Sequence, residues 1–155
     1  MKRQYELAVL TCVLLGFAGF SGCGESSQLS GLAPCRGTVT LGGSPVGGAA
    51  VMFVPAGSGS QRAASATTDA SGNFTMGTLK PQDGVMPGDF IVTVIKHEQY
   101  GPPPEKVLND GGEYVTPLHP TKNVLPEKYS QKGTSDIKVT VAPTGNKNIN
   151  IELTE

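Results

Sequence analysis

Net charge is almost absent from this chain, with 12 Lys and Arg against 13 Asp and Glu in 155 residues. There is no field of one sign to gather nucleic acid or to hold the chain on an anionic membrane surface, so partner choice falls to local chemistry. Histidine is scarce as well. His97 and His119 stand far apart, and the acids around them, Glu98, Asp110 and Glu113, match no known metal-ligand spacing. The run Asp110-Gly111-Gly112-Glu113 brings two carboxylates, whereas calcium takes about six to eight oxygens. The sequence therefore points to no metal and no cofactor. Long helical stretches are missing outside the N-terminus, because 21 Gly and 12 Pro punctuate the chain.

What is present begins with the leader. Lys2 and Arg3 precede an apolar run from Leu7 to Phe20, the pattern of a secretory signal and too short for a comfortable membrane span. The run ends in Phe20-Ser21-Gly22-Cys23, which resembles the bacterial lipobox, with Phe20 where Leu is usual. On that reading residues 1–22 are a lipoprotein signal peptide and Cys23 is the lipid-attachment residue. Residues 23–33 are then a small, polar, flexible tether, and residues 34–155 form the folded domain. The alternative is an ordinary signal peptide cut nearby, with Cys23 a spare thiol. Each buried methylene of an acyl chain contributes about 0.8 kcal/mol, so the predicted anchor holds the protein to a lipid bilayer without spanning it. The implied location is exported and lipid-anchored to a bacterial membrane, in the periplasm or at the cell surface. Cys12 leaves with the leader and Cys23 carries lipid, which leaves Cys35 alone and excludes an internal disulfide.

Beyond the tether a two-residue period takes over. Cys35–Leu41 alternates, with Cys35 and Val39 facing inward. Ala49–Pro55 reads as a second strand, Arg62–Thr68 as a weak third, Phe74–Leu79 as a fourth and Phe90–Lys96 as a fifth. Asp69 and Gly72 bracket the hairpin turn before Phe74, since an Asx side chain bonds its own backbone and Gly accepts positive φ. The fifth strand is apolar on both faces, which predicts a central position. Residues 97–135, with Pro102-Pro103-Pro104, Pro117, Pro120 and Pro126, keep no regular period and read as a long irregular insertion, with one helical turn expected at Glu105–Asn109. Asp136–Ala142 and Ile149–Leu153 close the chain as two alternating strands. The fold class expected is all-β: a seven-stranded antiparallel β-sandwich with the insertion before the last two strands.

Gly37-Thr38-Val39, Pro45-Val46-Gly47-Gly48-Ala49-Ala50-Val51-Met52-Phe53, Thr68-Asp69-Ala70-Ser71-Gly72-Asn73-Phe74 and Pro87-Gly88-Asp89-Phe90-Ile91-Val92-Thr93-Val94 together resemble the carboxypeptidase regulatory-like, or transthyretin-like, family of immunoglobulin-like β-sandwiches. With Leu125-Pro126-Glu127-Lys128-Tyr129 and Thr134-Ser135, the chain resembles the small exported lipoproteins of planctomycete bacteria. The resemblance implies fold and export, and an accessory, adhesive or binding role. Two other readings follow from the same fold class. Transthyretin-related hydrolases end in Tyr-Arg-Gly-Ser, whereas this chain ends Ile151-Glu152-Leu153-Thr154-Glu155. An adhesin-like isopeptide crosslink needs a Lys in the first strand, where this chain offers Arg36.

Candidate site residues are few. Cys35 shares parity with Val39 and is expected to be buried and inert. The aromatic residues divide by region: Phe53, Phe74 and Phe90 lie in strands, whereas Tyr100, Tyr114 and Tyr129 lie in the insertion. A tyrosine there either pins the loop to the body or forms a surface that stacks on sugars or peptides. The expected function is that of a non-catalytic, lipid-anchored envelope module that binds an envelope protein or carbohydrate or acts structurally. If it binds, Tyr100, Tyr114 and Tyr129 are the surface to look at first.

Overall fold

The computed structural model describes residues 29–155, so the expected leader, Cys23 and the first part of the tether lie outside the described residues. The described chain is all-β. In order it forms β1 (Cys35–Leu41), β2 (Ser44–Pro45), β3 (Ala50–Pro55), β4 (Ala64–Thr67), β5 (Asn73–Thr75), β6 (Gly88–Ile95), β7 (His97–Gln99), β8 (Val107–Leu108), β9 (Tyr114–Val115) and β10 (Thr121–Asn123). A 3-10 turn at Glu127–Tyr129 follows, then β11 (Lys138–Val141) and β12 (Asn146–Leu153).

Two four-stranded sheets make the body. One has the order β11-β6-β3-β4 and is antiparallel throughout; β6 sits centrally in it, as its apolar faces require. In the other, β1 is flanked by β12 on one side and by β2 and β5 on the other. Here the expectation of a purely antiparallel arrangement is corrected: β1 and β12 run parallel, in register from Gly37↔Ile149 to Leu41↔Leu153. Alternation predicts which face a strand buries, but it does not encode the direction of its partner. Gly37 has a specific reason to be glycine, because a Cβ there would overlap the Ile149 carbonyl oxygen at the shifted register between Cys35 and Gly37.

Alternation does place the core. Cys35, Val39, Phe74, Ile149, Ile151 and Leu153 of one sheet and Val51, Phe53, Phe90, Val92, Val94 and Val141 of the other belong to one buried cluster. Phe53 bridges the sheets, with its ring 6.3 Å from that of Phe74 and 6.0 Å from that of Phe90. Outward-facing Asn148, Asn150 and Glu152 are exposed, as expected.

Three local departures have identifiable causes. The strand expected at Phe74–Leu79 stops at Thr75, because the Asp83 carboxylate accepts the N–H groups of Thr78, Leu79 and Lys80 at 2.6, 3.1 and 2.9 Å and curls that segment into a loop. The helical turn expected at Glu105–Asn109 is instead extended, Val107 and Leu108 pairing with Val115 and Tyr114. The third departure is that much of the irregular insertion is a ladder. β7 pairs β10 through His97↔Asn123 and Gln99↔Thr121, and β8 pairs β9 further out, so residues 97–123 form a two-stranded finger.

The registers also fix where this finger leaves the body. Cys35 pairs with Asn146, the turn at Ala142–Gly145 leads back to Val141, and Val141 pairs with Gly88. Chain entry and the start of β6 are therefore at one end, where Ala33 also bridges Val85. The finger begins where β6 finishes, opposite Ala50, about 23 Å away along an eight-residue strand.

Candidate functional site

The finger is ordered by local chemistry rather than by a core. At its root the Asn123 Oδ1 accepts the Lys96 N–H at 3.1 Å and the Leu125 N–H at 3.2 Å, and the Val124 N–H donates to the Lys96 carbonyl. Lys96 also bridges Glu98 at 2.8 Å. The Nδ2 of Asn123 is buried without a partner, so holding the two backbone groups costs an unmet donor. The two legs then pass through Pro102–Pro104 on one side and Pro117 and Pro120 on the other. Proline fixes φ and withdraws ladder donors, which accounts for the gap in pairing between Gln99↔Thr121 and Val107↔Val115. At the tip, Asn109 Oδ1 accepts from Gly111 N–H at 3.0 Å and Glu113 N–H at 2.9 Å, and the Asn109 N–H donates to the Glu113 carbonyl. This Asx turn uses the Gly111-Gly112 pair as a reversal, and Gly112 takes a φ of 76°.

The finger is also where apolar side chains are left in water. Val107 is 48% exposed, Leu108 59%, Tyr114 71%, Val115 37% and Leu118 96%. Five such side chains within residues 107–118 differ from a singly exposed leucine, because soluble surfaces rarely gather large apolar side chains without a use for them.

The three tyrosines separate accordingly. Tyr100 and Tyr114 lie in the finger and are exposed. Tyr129 does not belong with them: it is buried, and its hydroxyl accepts the Thr154 N–H at 3.0 Å and lies 3.2 Å from Thr154 Oγ1. The expected surface thus loses Tyr129, whose ring helps to fill the core while its polar tip ties the segment before β11 to the end of β12. Ser135 adds a second tie, its hydroxyl donating to the Val92 carbonyl at 2.5 Å.

Cys35 is fully buried, and burial pushes its thiol pKa up, which keeps the thiolate scarce. His97 is exposed in β7 and His119 stands beside Pro120; among the described residues no group of three His, Cys, Asp or Glu side chains is placed to hold a metal ion. Arg36 faces outward from β1 into a shallow polar groove shared with Lys147, Asn148 and Asn150 of β12.

A second, larger groove lies between β4 and β5, lined by Ser65, Thr67, Asn73, Thr75, Leu79 and Gln82 among others. Beside it are two turns, each held by its own carboxylate. Asp69 accepts from Asn73 and Ser71, and those bonds, led by the Asn73 N–H, hold its pKa below the ordinary value. Asp83 is held low in the same way, first by the Thr78 N–H. Both carboxylates are occupied with their own backbones, so these turns are rigid walls rather than reactive groups. Sequence reasoning missed Asp83. Its signal was the Asp-Gly dipeptide at 83–84 following Pro81, a turn pattern of the same kind as the one recognised at Asp69.

Set against protein-family models, curated proteins and solved structures, the chain matches none of them.

Proposed function

We propose that this protein is a non-catalytic binding module of the bacterial cell envelope, a transthyretin-like or immunoglobulin-like sandwich held to a lipid bilayer through Cys23. The observation that carries the binding role is the pairing of a well-packed body with an apolar, exposed finger: the body supplies a rigid mount, and the finger supplies surface that the fold itself does not cover. The leader pattern ending in Cys23 supports export and anchoring. The sandwich reading is supported by two sheets sharing one core. Tyr100 and Tyr114 remain the aromatic contacts of the proposed surface, which takes an envelope protein or carbohydrate.

Detergent phase partitioning with intact mass measurement of the protein isolated from its own cells tests the anchoring. The expected mass is that of the chain from Cys23 onward plus a diacylglyceryl group and an amide-linked acyl chain, in the detergent phase. An unmodified chain found wholly in the aqueous phase would overturn it. The same mass excludes or reveals an internal isopeptide crosslink, which would remove one ammonia.

A further inference from the structure

The finger's tip presents apolar side chains on both of its faces. In the β8/β9 pair Val107 stands opposite Val115 and Leu108 opposite Tyr114. Neighbouring residues on a strand point to opposite sides, so the Val107–Val115 pair occupies one face and the Leu108–Tyr114 pair the other. All four are exposed. A flat partner, or a second copy stacked on one face, would cover one pair and leave the other in water. An occupant that covers both must surround the ribbon.

Charge narrows the chemistry further. Between residues 105 and 115 the tip carries Glu105, Asp110 and Glu113 against Lys106. Three acids beside the apolar pairs make entry into lipid hydrocarbon costly and call for positive charge at the mouth of whatever receives the tip. The position in the fold fits this. The finger leaves the body at the end opposite to chain entry, so a module tethered through residues 23–33 emerges from the bilayer at one end and offers its tip at the other. The Asx turn at Asn109 and the proline-stiffened legs hold the tip in shape before any partner arrives, which lowers the ordering cost of docking.

We infer that residues 105–115 are a docking prong that inserts, both faces at once, into an apolar cleft with a basic rim on a partner protein. This deepens the binding-module reading and rests on it.

The test uses the full chain expressed in its native cells, with a photo-crosslinking residue placed in turn at Val107, at Leu108 and, as a control on the body, at exposed Met52. The expected result is one and the same protein adduct from Val107 and Leu108 and none from Met52. The crosslinked partner peptides should be apolar and flanked by Lys or Arg. Combining Asp110→Lys with Glu113→Lys should lower the yield at least about tenfold, while circular dichroism melts of the purified variant match the parent. An adduct from one face alone, an adduct of two copies of this chain, an adduct with lipid, partner peptides lacking basic residues, or no adduct at either position would each overturn the inference. Detergent partitioning of the same samples reports on the anchor separately: a chain that is anchored but gives no adduct sinks the prong and leaves the anchoring intact, and an aqueous chain that still gives the two-faced adduct does the reverse.

Discussion

The body and the finger are built on opposite terms. Residues of the body pair across long stretches of sequence, as Gly37 does with Ile149 and Val51 with Val94, and their order comes from apolar side chains removed from water between two sheets. From residue 97 to residue 123 no residue is buried, and the order comes from an Asx turn, a few ladder bonds and proline. An isolated two-stranded ribbon is marginal in water. The comparison teaches that packing and apolar exposure are largely separated here: the buried core lies in the body, and most of the large exposed apolar side chains lie in the finger, with Met52, Leu79 and Val124 outside it.

The most damaging way to test the division is inside the core. Phe53→Ala removes a fully buried ring that touches both Phe74 and Phe90, and is expected to cost about 3–5 kcal/mol in denaturant unfolding. Tyr129→Phe should cost roughly 1–2 kcal/mol, because the Thr154 N–H loses its acceptor while the ring stays in place. A loss near zero would mean that water replaces the tyrosine hydroxyl at the exposed Thr154 N–H.

Acid sharpens the comparison by acting on the body's turns. Asp69 and Asp83 have folded-state pKa values below the unfolded ones, so the stability they contribute is present above about pH 4 and is lost as pH falls through the folded values. Melting temperature should therefore decline below about pH 4, and Asp83→Asn should flatten that decline relative to the parent. Smallest of all is Leu108→Ser. An exposed finger residue should change unfolding free energy by no more than about 0.5 kcal/mol, and a larger loss would mean that the tip packs on the body.

Much of the body was legible in the sequence because strict alternation records which side of a strand is dry. Cys35, Val39, Phe90, Val92, Ile149 and Leu153 are all buried as their parity requires. The parallel pairing of β1 with β12 was not legible, since side-chain parity is the same for either direction of a neighbour. The finger escaped for a related reason. Its paired segments at Val107–Leu108 and Tyr114–Val115 are too short to show a period, and the prolines flanking them read as an irregular insertion when they are the legs of a paired ribbon. Two of the three tyrosines were exposed as a surface would need; Tyr129 was not, because only the folded chain brings Thr154 to its hydroxyl.

Native-state amide hydrogen exchange tests the division of labour most directly. The amides of Val92, Thr93 and Ile151 are expected to exchange only through global unfolding, while those of Val107 and Val115 exchange through local opening, at least about a thousandfold faster. Finger amides that exchange as slowly as those of β6 would contradict it, since the tip would then share the body's cooperative core.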